Sequence, residues 1–338
     1  MKKIAVILAV LLALGAGIGY TYYQDITNSN TAFEEEIKTL TIQTGSTFDD
    51  LLMQLSLENI LADTASFKWV AEQKKFSTIK PGYYRIEKGI SNNDLVNKLR
   101  SGDQTPVKLV FNGARTPQDI AGVIASQIEA DSLSILQALT SEDFASKYGF
   151  KKDSYRTMFI PNTYEIWWNT DADSFVSKMA QEYKRFWTSE RIAQAKTKGL
   201  SQSEVGILAS IVKAETAKRN EAPIVAGLYL NRLERGIPLQ ADPTLIYAAG
   251  DFTIRRVLDE HKLINSPYNT YMHNGLPPGP INYPETNYLD AVLYPEDHNY
   301  IYMCAKPDFS GYHNFSKSLR QHNIYAAEYH RAIRKAGY

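Results

Sequence analysis

Cysteine is nearly absent from this chain of 338 residues, in which Cys304 is the only one. A single cysteine excludes an intramolecular disulfide, and the strand-like run Tyr300–Ala305 around it predicts a small core side chain rather than a nucleophile. No cysteine and histidine cluster has metal-ligand spacing, so we expect no metal site, and we expect no cofactor. An excess of one charge is also missing, since 37 Lys and Arg balance 37 Asp and Glu. This balance argues against a nucleic-acid partner, because such binding depends on basic surfaces.

A long uncharged stretch lies near the N-terminus. Lys2 and Lys3 precede the run 4–24, which is rich in Ile, Val, Leu and Ala and ends among tyrosines. A run of this length can span the roughly 30 Å hydrocarbon core of a bilayer. Lysines favour the cytoplasmic side of a membrane, and tyrosines favour its interface with water. The sequence therefore predicts a cytoplasmic tip at residues 1–3 and a single-pass anchor in the inner (plasma) membrane. The remaining chain is expected on the extracytoplasmic, periplasmic side. A cleavable signal peptide, cut among the small residues 13–19, is the alternative.

A pattern of strand, glycine turn and capped helix recurs after a polar segment, residues 25–36, that is expected to be a stalk. The copies begin at Gly45, at Gly89 and, more loosely, at Gly113, and each has Ser or Thr three residues before an aspartate. Such a pair caps a helix N-terminus. The layout resembles a LysM-type peptidoglycan-binding module, and a generic β-turn-α scaffold is the alternative. We expect a LysM-like region over residues 37–130 and a helical connector over residues 131–153.

One predicted helix, Ser203 to Lys218, carries an acid on an apolar face. Four of its residues fall at i, i+3, i+4 and i+7: Leu208, Ile211, Val212 and Glu215. Residues at this spacing share a face, and Ser201 followed by Glu204 predicts a capping box at the helix start. A carboxyl group against apolar neighbours resists ionisation, so its pKa rises toward the range in which it can donate a proton. Glu215 is therefore a candidate general acid. An ordinary carboxylate at the helix end, which Lys218 and Arg219 solvate or pair with, is the alternative.

The chain after Glu215 is dense in rigid, polar and aromatic segments. They are residues 231–233, 238–244 with Tyr247, 266–271 and 275–280. Proline and glycine fix loop conformation, and Tyr and Asn suit a sugar, which offers hydroxyl groups and flat C–H faces. A turn-rich region without such a role is the alternative for each segment taken alone.

In their order and combination these motifs resemble those of the MltG (YceG-like) endolytic murein transglycosylases. The motifs are L-A-S-I-V-K-A-E-T-A at 208–217, N-R-L at 231–233, L-Q-A-D-P-T at 239–244, P-Y-N-T-Y at 267–271 and G-L-P-P-G-P at 275–280. The resemblance covers nearly the whole chain. It implies an α+β fold with an N-terminal transmembrane helix, LysM-like modules and a mixed α+β catalytic domain over residues 154–338. It also implies a lytic transglycosylase that cuts MurNAc–GlcNAc β-1,4 bonds within nascent peptidoglycan strands, with Glu215 as its single acid/base.

The resemblance further implies side chains that hold the substrate around Glu215. These are Gln240, Asp242, Thr244, Tyr247, Tyr268, Asn269, Tyr271 and His313. Asn231 and Arg232 are expected to brace the site, and binding of a substrate carboxylate is the alternative for a buried Arg232. Lys213 departs from the family pattern, in which a second Glu is common, but residues two apart lie on different helix faces, so the acid should be unaffected. The implied partners are peptidoglycan strands and, as a hypothesis, the membrane-bound synthases that extrude them.

Two other functions fit parts of the sequence. A muramidase-type hydrolase would use Asp242 as a second carboxylate. However, Asp before Pro is typical of a turn in which the Asp caps its own loop. A membrane-anchored scaffold that binds the wall without cutting would need the repeats, but it would not need an acid on an apolar helix face.

Overall fold

The computed structural model describes residues 2–337, which form two compact units. Unit 1 takes the chain up to Leu109 together with Gln127–Ala130 and Tyr164–Asp171, and unit 2 takes the rest. The fold is mixed α+β, in agreement with the fold class that the sequence predicts. Met1, in the expected cytoplasmic tip, and Tyr338, at the end of the expected catalytic region, lie outside the described residues.

Unit 1 begins with the one described helix that is long and apolar enough to cross a membrane, α1 (Lys2–Thr27). The elements that follow are β1 (Ile37–Ile42), α2 (Phe48–Leu57), α3 (Thr64–Gln73), β2 (Gly82–Glu87) and α4 (Asn92–Ser101). β1 and β2 pair antiparallel, with Leu40 opposite Tyr84, and both of these side chains are fully buried. The alternating side chains of the two strands and the apolar faces of the helices close one hydrophobic core.

The predicted helix caps are confirmed at all three copies of the repeat. Thr47 and Asp50 form a capping box at the start of α2. The hydroxyl of Ser91 accepts a hydrogen bond from the backbone amide of Asp94, at 3.2 Å, and so caps α4. A second capping box, at Thr116, starts α5 (Pro117–Ala125) in unit 2. In each case the hydroxyl satisfies an amide that lacks a partner within the helix.

Residues 25–36, expected to be a stalk, pack on unit 1 in this structure. Helix α1 continues to Thr27, and an isolated bridge pairs Ser29 with Ser91. The buried Asn30 amide donates to Oδ1 of Asn92 at 2.7 Å and to the carbonyl of Asp63 at 2.7 Å. The polar composition of the segment thus supplies hydrogen bonds that hold it in place.

Unit 2 is mainly helical. After α5 its elements are α6 (Ser132–Thr140), α7 (Glu142–Lys147), α8 (Ala172–Phe186), α9 (Ser189–Thr197), α10 (Gln202–Glu215), α11 (Ala222–Glu234), α12 (Asp242–Ala249), α13 (Thr286–Leu293), β5 (Tyr302–Ala305), β6 (His313–Ser316) and α14 (Leu319–Ala336). β5 and β6 pair antiparallel. β3 (Val107–Phe111) pairs with β4 (Asn162–Ile166), and each of these two strands is divided between the two units.

Helix α10 is the centre of the unit 2 core. Every residue from Val205 to Val212 is buried, so the helix is covered on all sides rather than along the single stripe that the sequence suggested. Helices α11 and α13 supply much of the cover, with side chains such as Tyr229 and Val292. The predicted capping box is confirmed, because the Ser201 amide donates to Oε2 of Glu204 at 2.7 Å.

The expectation that Cys304 is a core residue is wrong. All four residues of β5, including Cys304, are only partly buried. No residue of β5 is fully covered, in contrast to Leu40 and Tyr84 in the two-stranded sheet of unit 1.

Candidate active site

Glu215 is the last residue of α10, where the buried helix meets the loop to α11. Thr216 already has an extended backbone, so the helix ends directly after the acid. The Glu215 side chain remains partly accessible, whereas Val212, one turn earlier, is fully buried. This position gives the carboxyl group apolar surroundings and an opening to solvent.

One hydrogen bond holds the Glu215 carboxyl group. The phenolic hydroxyl of Tyr229, a buried residue of α11, donates to Oε1 of Glu215 at 2.7 Å. Pro223 lies in the first turn of α11, where its missing amide hydrogen costs nothing and its fixed φ favours a helix start. The bond to Tyr229 replaces the alternative expected from sequence, in which Lys218 would pair with Glu215.

The surroundings raise the pKa of Glu215 to about 7, mainly because burial disfavours the charged carboxylate. The negative charge of Asp242 acts in the same direction. The hydrogen bond from Tyr229 and the positive charge of Arg232 lower the pKa, because both stabilise the ionised carboxylate. Near neutral pH the group is therefore present in both protonation states, as a residue that must act first as an acid and then as a base requires.

Asp242 is the first residue of α12, and the residue before it, Ala241, provides no side-chain cap. Its Oδ1 accepts a hydrogen bond from the hydroxyl of Tyr271 at 2.5 Å. The expectation that Asp242 caps its own loop is therefore wrong. Pro243 supplies the helix start instead, and the carboxylate is left exposed beside Glu215. Burial and the nearby Asp242 raise the pKa of Tyr271, so its hydroxyl stays protonated and can donate.

Arg232 fixes the loop that leads into α12. Its guanidinium donates from Nη1 to the Leu239 carbonyl at 2.7 Å and from Nη2 to Oε1 of Gln240 at 3.1 Å. Gln240 has a φ of 50°, in the left-handed region, and its amide is held by the carbonyl of Thr270 at 3.1 Å. Tertiary contacts of this kind are needed to keep a non-glycine residue in that conformation. Arg232 thus has the bracing position that the sequence suggested, and Gln240 is presented on the surface.

The side chains of Thr244 and Asn269 are fully buried. The Asn269 amide group donates to the carbonyls of Lys262 and Ile264 at 2.9 and 2.8 Å, while its oxygen accepts from the Tyr271 amide at 3.0 Å. The Thr244 hydroxyl donates to the Ala241 carbonyl at 2.7 Å. In this structure both side chains are therefore occupied in shaping the loops that carry Tyr271 and Asp242.

An aromatic cluster lies between α12 and the loop that follows it. The rings of Tyr247 and Tyr268 have centroids 4.7 Å apart, and both side chains are partly exposed. A cavity of about 310 Å³ is lined by Tyr247 together with Ala214 and Pro243, the neighbours in sequence of Glu215 and Asp242. The structure thus brings together the acid, Asp242 and Tyr271, while Tyr247 and Tyr268 form a second cluster with Arg156.

Gly279, in the motif at residues 275–280, lies too close to the backbone of Asp153 to carry a side chain. A Cβ atom at Gly279 would lie 2.2 Å from the Asp153 carbonyl oxygen and 2.8 Å from the hydroxyl of Tyr268. The next carbonyl, that of Pro280, accepts a 2.6 Å hydrogen bond from Arg156. Gly279 therefore allows the segment to pack closely behind Tyr268.

Sequence reasoning missed Glu221, a carboxylate that is only 3% exposed. Its oxygens accept from the backbone amide of His313 at 2.7 Å and from the Thr216 hydroxyl at 2.9 Å, and Nδ1 of His313 lies 2.8 Å from Oε2. Thr216 directly follows Glu215, so this network joins strand β6 to the end of the acid-bearing helix. The residues around Glu221 in sequence do not indicate that it is buried, because its partner His313 lies far along the chain.

Lys213 lies on a different face of α10 from Glu215, as expected. Its ammonium group donates to the carbonyl of Tyr283 at 2.8 Å and to Oε1 of Glu285 at 2.7 Å. Glu215 instead contacts Tyr229. As for metals, no group of three or more His, Cys, Asp or Glu side chains among residues 2–337 is arranged to hold an ion.

A single acid with a pKa near neutrality, held by a phenol and flanked by tyrosine-rich loops, is the arrangement of an acid/base enzyme. Residues 40–328 match the sequence model of the YceG-like family, and the chain belongs to that family. The resemblance drawn from the motifs is therefore confirmed.

Two similar proteins and one solved structure agree with this assignment. The chain is 28% identical over 314 residues to the endolytic murein transglycosylase of Bacillus subtilis, covering 86% of this chain and 85% of that protein. It is also 28% identical over 329 residues to the endolytic murein transglycosylase of Streptococcus pneumoniae, where 87% of this chain spans only 59% of the relative. The crystal structure of a YceG-like protein from Listeria monocytogenes shares the fold, with a TM-score of 0.57 at 24% identity, over 86% of this chain and 99% of that one.

Proposed function

We propose that this protein is a membrane-anchored endolytic murein transglycosylase, which cleaves MurNAc–GlcNAc β-1,4 bonds within peptidoglycan strands. The observation that carries the proposal is the state of Glu215: its largely buried carboxyl group has a pKa of about 7, accepts a hydrogen bond from Tyr229 and remains partly accessible. The names of the Bacillus and Streptococcus relatives support the same activity.

In the proposed reaction Glu215 acts twice. The protonated carboxyl group donates its proton to the glycosidic oxygen as the bond from that oxygen to C1 of MurNAc breaks. The resulting carboxylate then takes the proton of the C6 hydroxyl group while the C6 oxygen bonds to C1. The product is a 1,6-anhydro end, no water is consumed, and Glu215 returns to its protonated form. One carboxyl group is sufficient, in contrast to the pair used by most glycoside hydrolases.

The neighbouring residues divide into two groups under this proposal. Gln240, Tyr247, Tyr268 and Tyr271 are accessible or partly accessible, and they present amide, hydroxyl and ring surfaces to the glycan. Thr244 and Asn269 act indirectly, because their polar atoms hold the loops. His313 is linked to the end of α10 through Glu221 and Thr216.

Unit 1 is proposed to bind glycan through a LysM-like module while α1 anchors the protein in the plasma membrane. Two helices between antiparallel strands β1 and β2 support the module. A polar cavity of about 470 Å³ at the Gly45 turn, lined by Gln43, Asp50 and Gln54, offers hydrogen-bonding groups. With the catalytic unit outside the cytoplasm, cuts would fall at a set distance from the membrane and terminate strands emerging from membrane-bound synthases. Replacing α1 by a soluble leader should then abolish control of glycan length, whereas unchanged lengths would disprove this part.

A muramidase-type hydrolase is the second candidate. Asp242 is exposed, and its charge acts on Glu215, so a second carboxylate is present near the acid. A hydrolase would use it to activate water, and the product would carry a reducing end. A wall-binding scaffold without activity is a third candidate, and it leaves the raised pKa of Glu215 without a purpose.

Mass spectrometry of the products distinguishes these candidates. The full chain in detergent is incubated with uncrosslinked peptidoglycan strands beside Glu215→Gln, which keeps the shape of the side chain but cannot exchange a proton. Internal cuts with 1,6-anhydro ends, absent from the variant, are expected. Reducing ends would identify a hydrolase, and bound but intact strands would identify a scaffold. Activity in a folded Glu215→Gln variant would remove Glu215 from the mechanism.

A further inference from the structure

The C-terminal turns of α1 belong to the packing of unit 1. The ring of Tyr22 stacks on the ring of Trp69 in α3, with centroids 4.6 Å apart and planes at 19°. Ile26 packs against the unit 1 core, and the carbonyl of Asp25 accepts a 2.8 Å hydrogen bond from the Asn92 amide of α4. The proposed membrane helix therefore makes direct side-chain and backbone contacts with both α3 and α4.

The residues that directly follow α1 are held by contacts with the rest of unit 1. Ser29 pairs with Ser91, Thr31 pairs with Leu61, and Asn30 between them is buried. The Asn30 oxygen accepts from the Asp63 amide at 2.8 Å, so both ends of its amide group are used. Residues held at both flanks in this way cannot act as a flexible tether, and α1 and unit 1 share one orientation.

The depth of these contacts follows from helix geometry. Apolar side chains of α1 such as Ile4, Leu12 and Ile18 are exposed, and Tyr20 and Tyr23 remain 61% and 62% exposed near its end. Tyrosine and tryptophan favour the headgroup region, which is about 5–7 Å thick on each side of the hydrocarbon core. The helix rises about 1.5 Å per residue, so Ile26 lies only about 6 Å beyond Tyr22. Trp69, stacked on Tyr22, lies at the level of the tyrosines.

We propose that the face of α3 bearing Trp69 is a membrane-contact surface, seated in the phospholipid headgroups of the bilayer that α1 spans. Ala65, Trp69 and Gln73 form one row at i, i+4 and i+8, and Ala65 and Gln73 are exposed. Lys68 is exposed beside them and can extend its ammonium group to lipid phosphates. The proposal rests on the membrane anchoring proposed above and adds to it that unit 1 lies on the membrane surface.

The surface can be tested with single fluorescent labels, because Cys304 is the only native cysteine and is only partly buried. In a Cys304→Ser background the full chain receives one cysteine at Ala65, Gln73, Val10 or Gln43, each labelled with an environment-sensitive dye. Val10 reports the hydrocarbon core. Gln43 is the control position. It is exposed and directly follows the C-terminal end of β1, whereas the hydrogen bond from the Lys88 amide to the Glu36 carbonyl lies at the N-terminal end of that strand. Each protein is reconstituted in phosphatidylcholine–phosphatidylglycerol vesicles with nitroxide on the headgroup or on the acyl chain.

Headgroup nitroxide is expected to quench the labels at Ala65 and Gln73 at least twice as strongly as the label at Gln43, while acyl-chain nitroxide quenches the label at Val10. Quenching at Val10 with equal, weak quenching at Ala65, Gln73 and Gln43 would overturn the surface and leave the anchor intact. No quenching at Val10 would overturn the anchor, and the surface with it. The two failures are thus distinguished, and a label at either Ala65 or Gln73 suffices if the other variant does not fold.

Discussion

The hydroxyl group of Tyr229 donates a 2.7 Å hydrogen bond to Oε1 of Glu215, and this contact joins α11 to the end of α10. The bond stabilises the carboxylate, whereas burial and the charge of Asp242 stabilise the protonated acid. The pKa of about 7 is the result of these opposed effects. The hydrogen bond and the charge of Asp242 can each be removed by a single substitution, and the two substitutions should shift the pKa of Glu215 in opposite directions.

Tyr229→Phe removes the donor and should raise the pKa of Glu215 further. A hydrogen bond to a charged group is worth about 1.5–3 kcal/mol, so we expect a shift of about one pH unit or more. In the pH dependence of kcat, the limb on which activity falls as the acid loses its proton should move to higher pH. An unchanged limb in the folded variant would show that Tyr229 does not tune the acid.

Asp242→Asn should have the opposite effect. It removes the negative charge that raises the pKa of Glu215, while the amide oxygen can still accept from Tyr271. The same limb should move to lower pH, and a large fraction of the activity should remain at acidic pH. Asp251→Asn, at an exposed position after α12, is the matched control and should leave the profile unchanged. Complete loss of activity in Asp242→Asn would instead favour the hydrolase, in which Asp242 is essential.

Glu215→Gln should alter how stability depends on pH. The folded-state pKa of Glu215, about 7, lies above its ordinary value of 4.5, so the wild-type protein binds this proton more tightly when folded. The corresponding stability is fully present below about pH 4.5 and is lost as pH rises through 7, with a total of no more than about 3 kcal/mol. Urea unfolding at pH 5 and pH 8 should therefore show Glu215→Gln gaining relative to wild type at the higher pH. An equal difference at both values would contradict the raised pKa.

Glu221→Ala should destabilise unit 2, because the amide of His313 and the hydroxyl of Thr216 would lose their buried acceptor. An unsatisfied buried donor costs about 1–3 kcal/mol, so a loss of at least about 2 kcal/mol in the free energy of unfolding is expected. Glu221→Gln keeps one acceptor oxygen and should cost less. Glu234→Ala, at the exposed C-terminal end of α11, the helix that begins directly after Glu221, should stay within about 0.5 kcal/mol of wild type. Equal effects of Glu221→Ala and Glu234→Ala in urea unfolding would refute the network.

Two glycine substitutions should act in opposite directions. Gly279→Ala places a Cβ atom 2.2 Å from the Asp153 carbonyl oxygen, so the backbone must shift, at a cost of about 1–3 kcal/mol. Gly122→Ala, in α5, meets nothing within 4 Å and should stabilise by about 0.5–1 kcal/mol, because alanine favours helices. Thermal unfolding of the two variants beside wild type measures both signs. A neutral Gly279→Ala variant would show that the close approach is not rigid.

Local features of the structure were predictable from sequence where the physical cause is local. The capping boxes at Thr47 and Ser201 follow from a hydroxyl and a carboxylate three residues apart, and both are present. The helical position of Glu215 follows from the spacing of its apolar neighbours. The role of Asp242 was misread, because an Asp-Pro pair resembles a turn and its actual partner, Tyr271, lies in another loop.

Features that depend on distant partners could not be predicted in this way. Glu221 meets His313 across a long sequence separation, and no local pattern indicates that a glutamate will be buried. The polar segment after α1 has the composition of a linker, yet Asn30 is buried because Asn92 and Asp63 satisfy it. Composition predicts the average behaviour of such residues, and tertiary hydrogen bonds decide the particular case.

The continuous burial of α10 from Val205 to Val212 sets up a gradient of mobility along one short helix. Backbone amides in its interior should exchange with solvent deuterium only when unit 2 opens as a whole, whereas those of the loop that begins at Thr216 can exchange through local fluctuations. Glu215 lies where these regimes meet. Its carboxyl group is therefore fixed from the helix side, and adjustments that accompany glycan binding must come from the opposite side, through the loops carrying Gln240 and Tyr271.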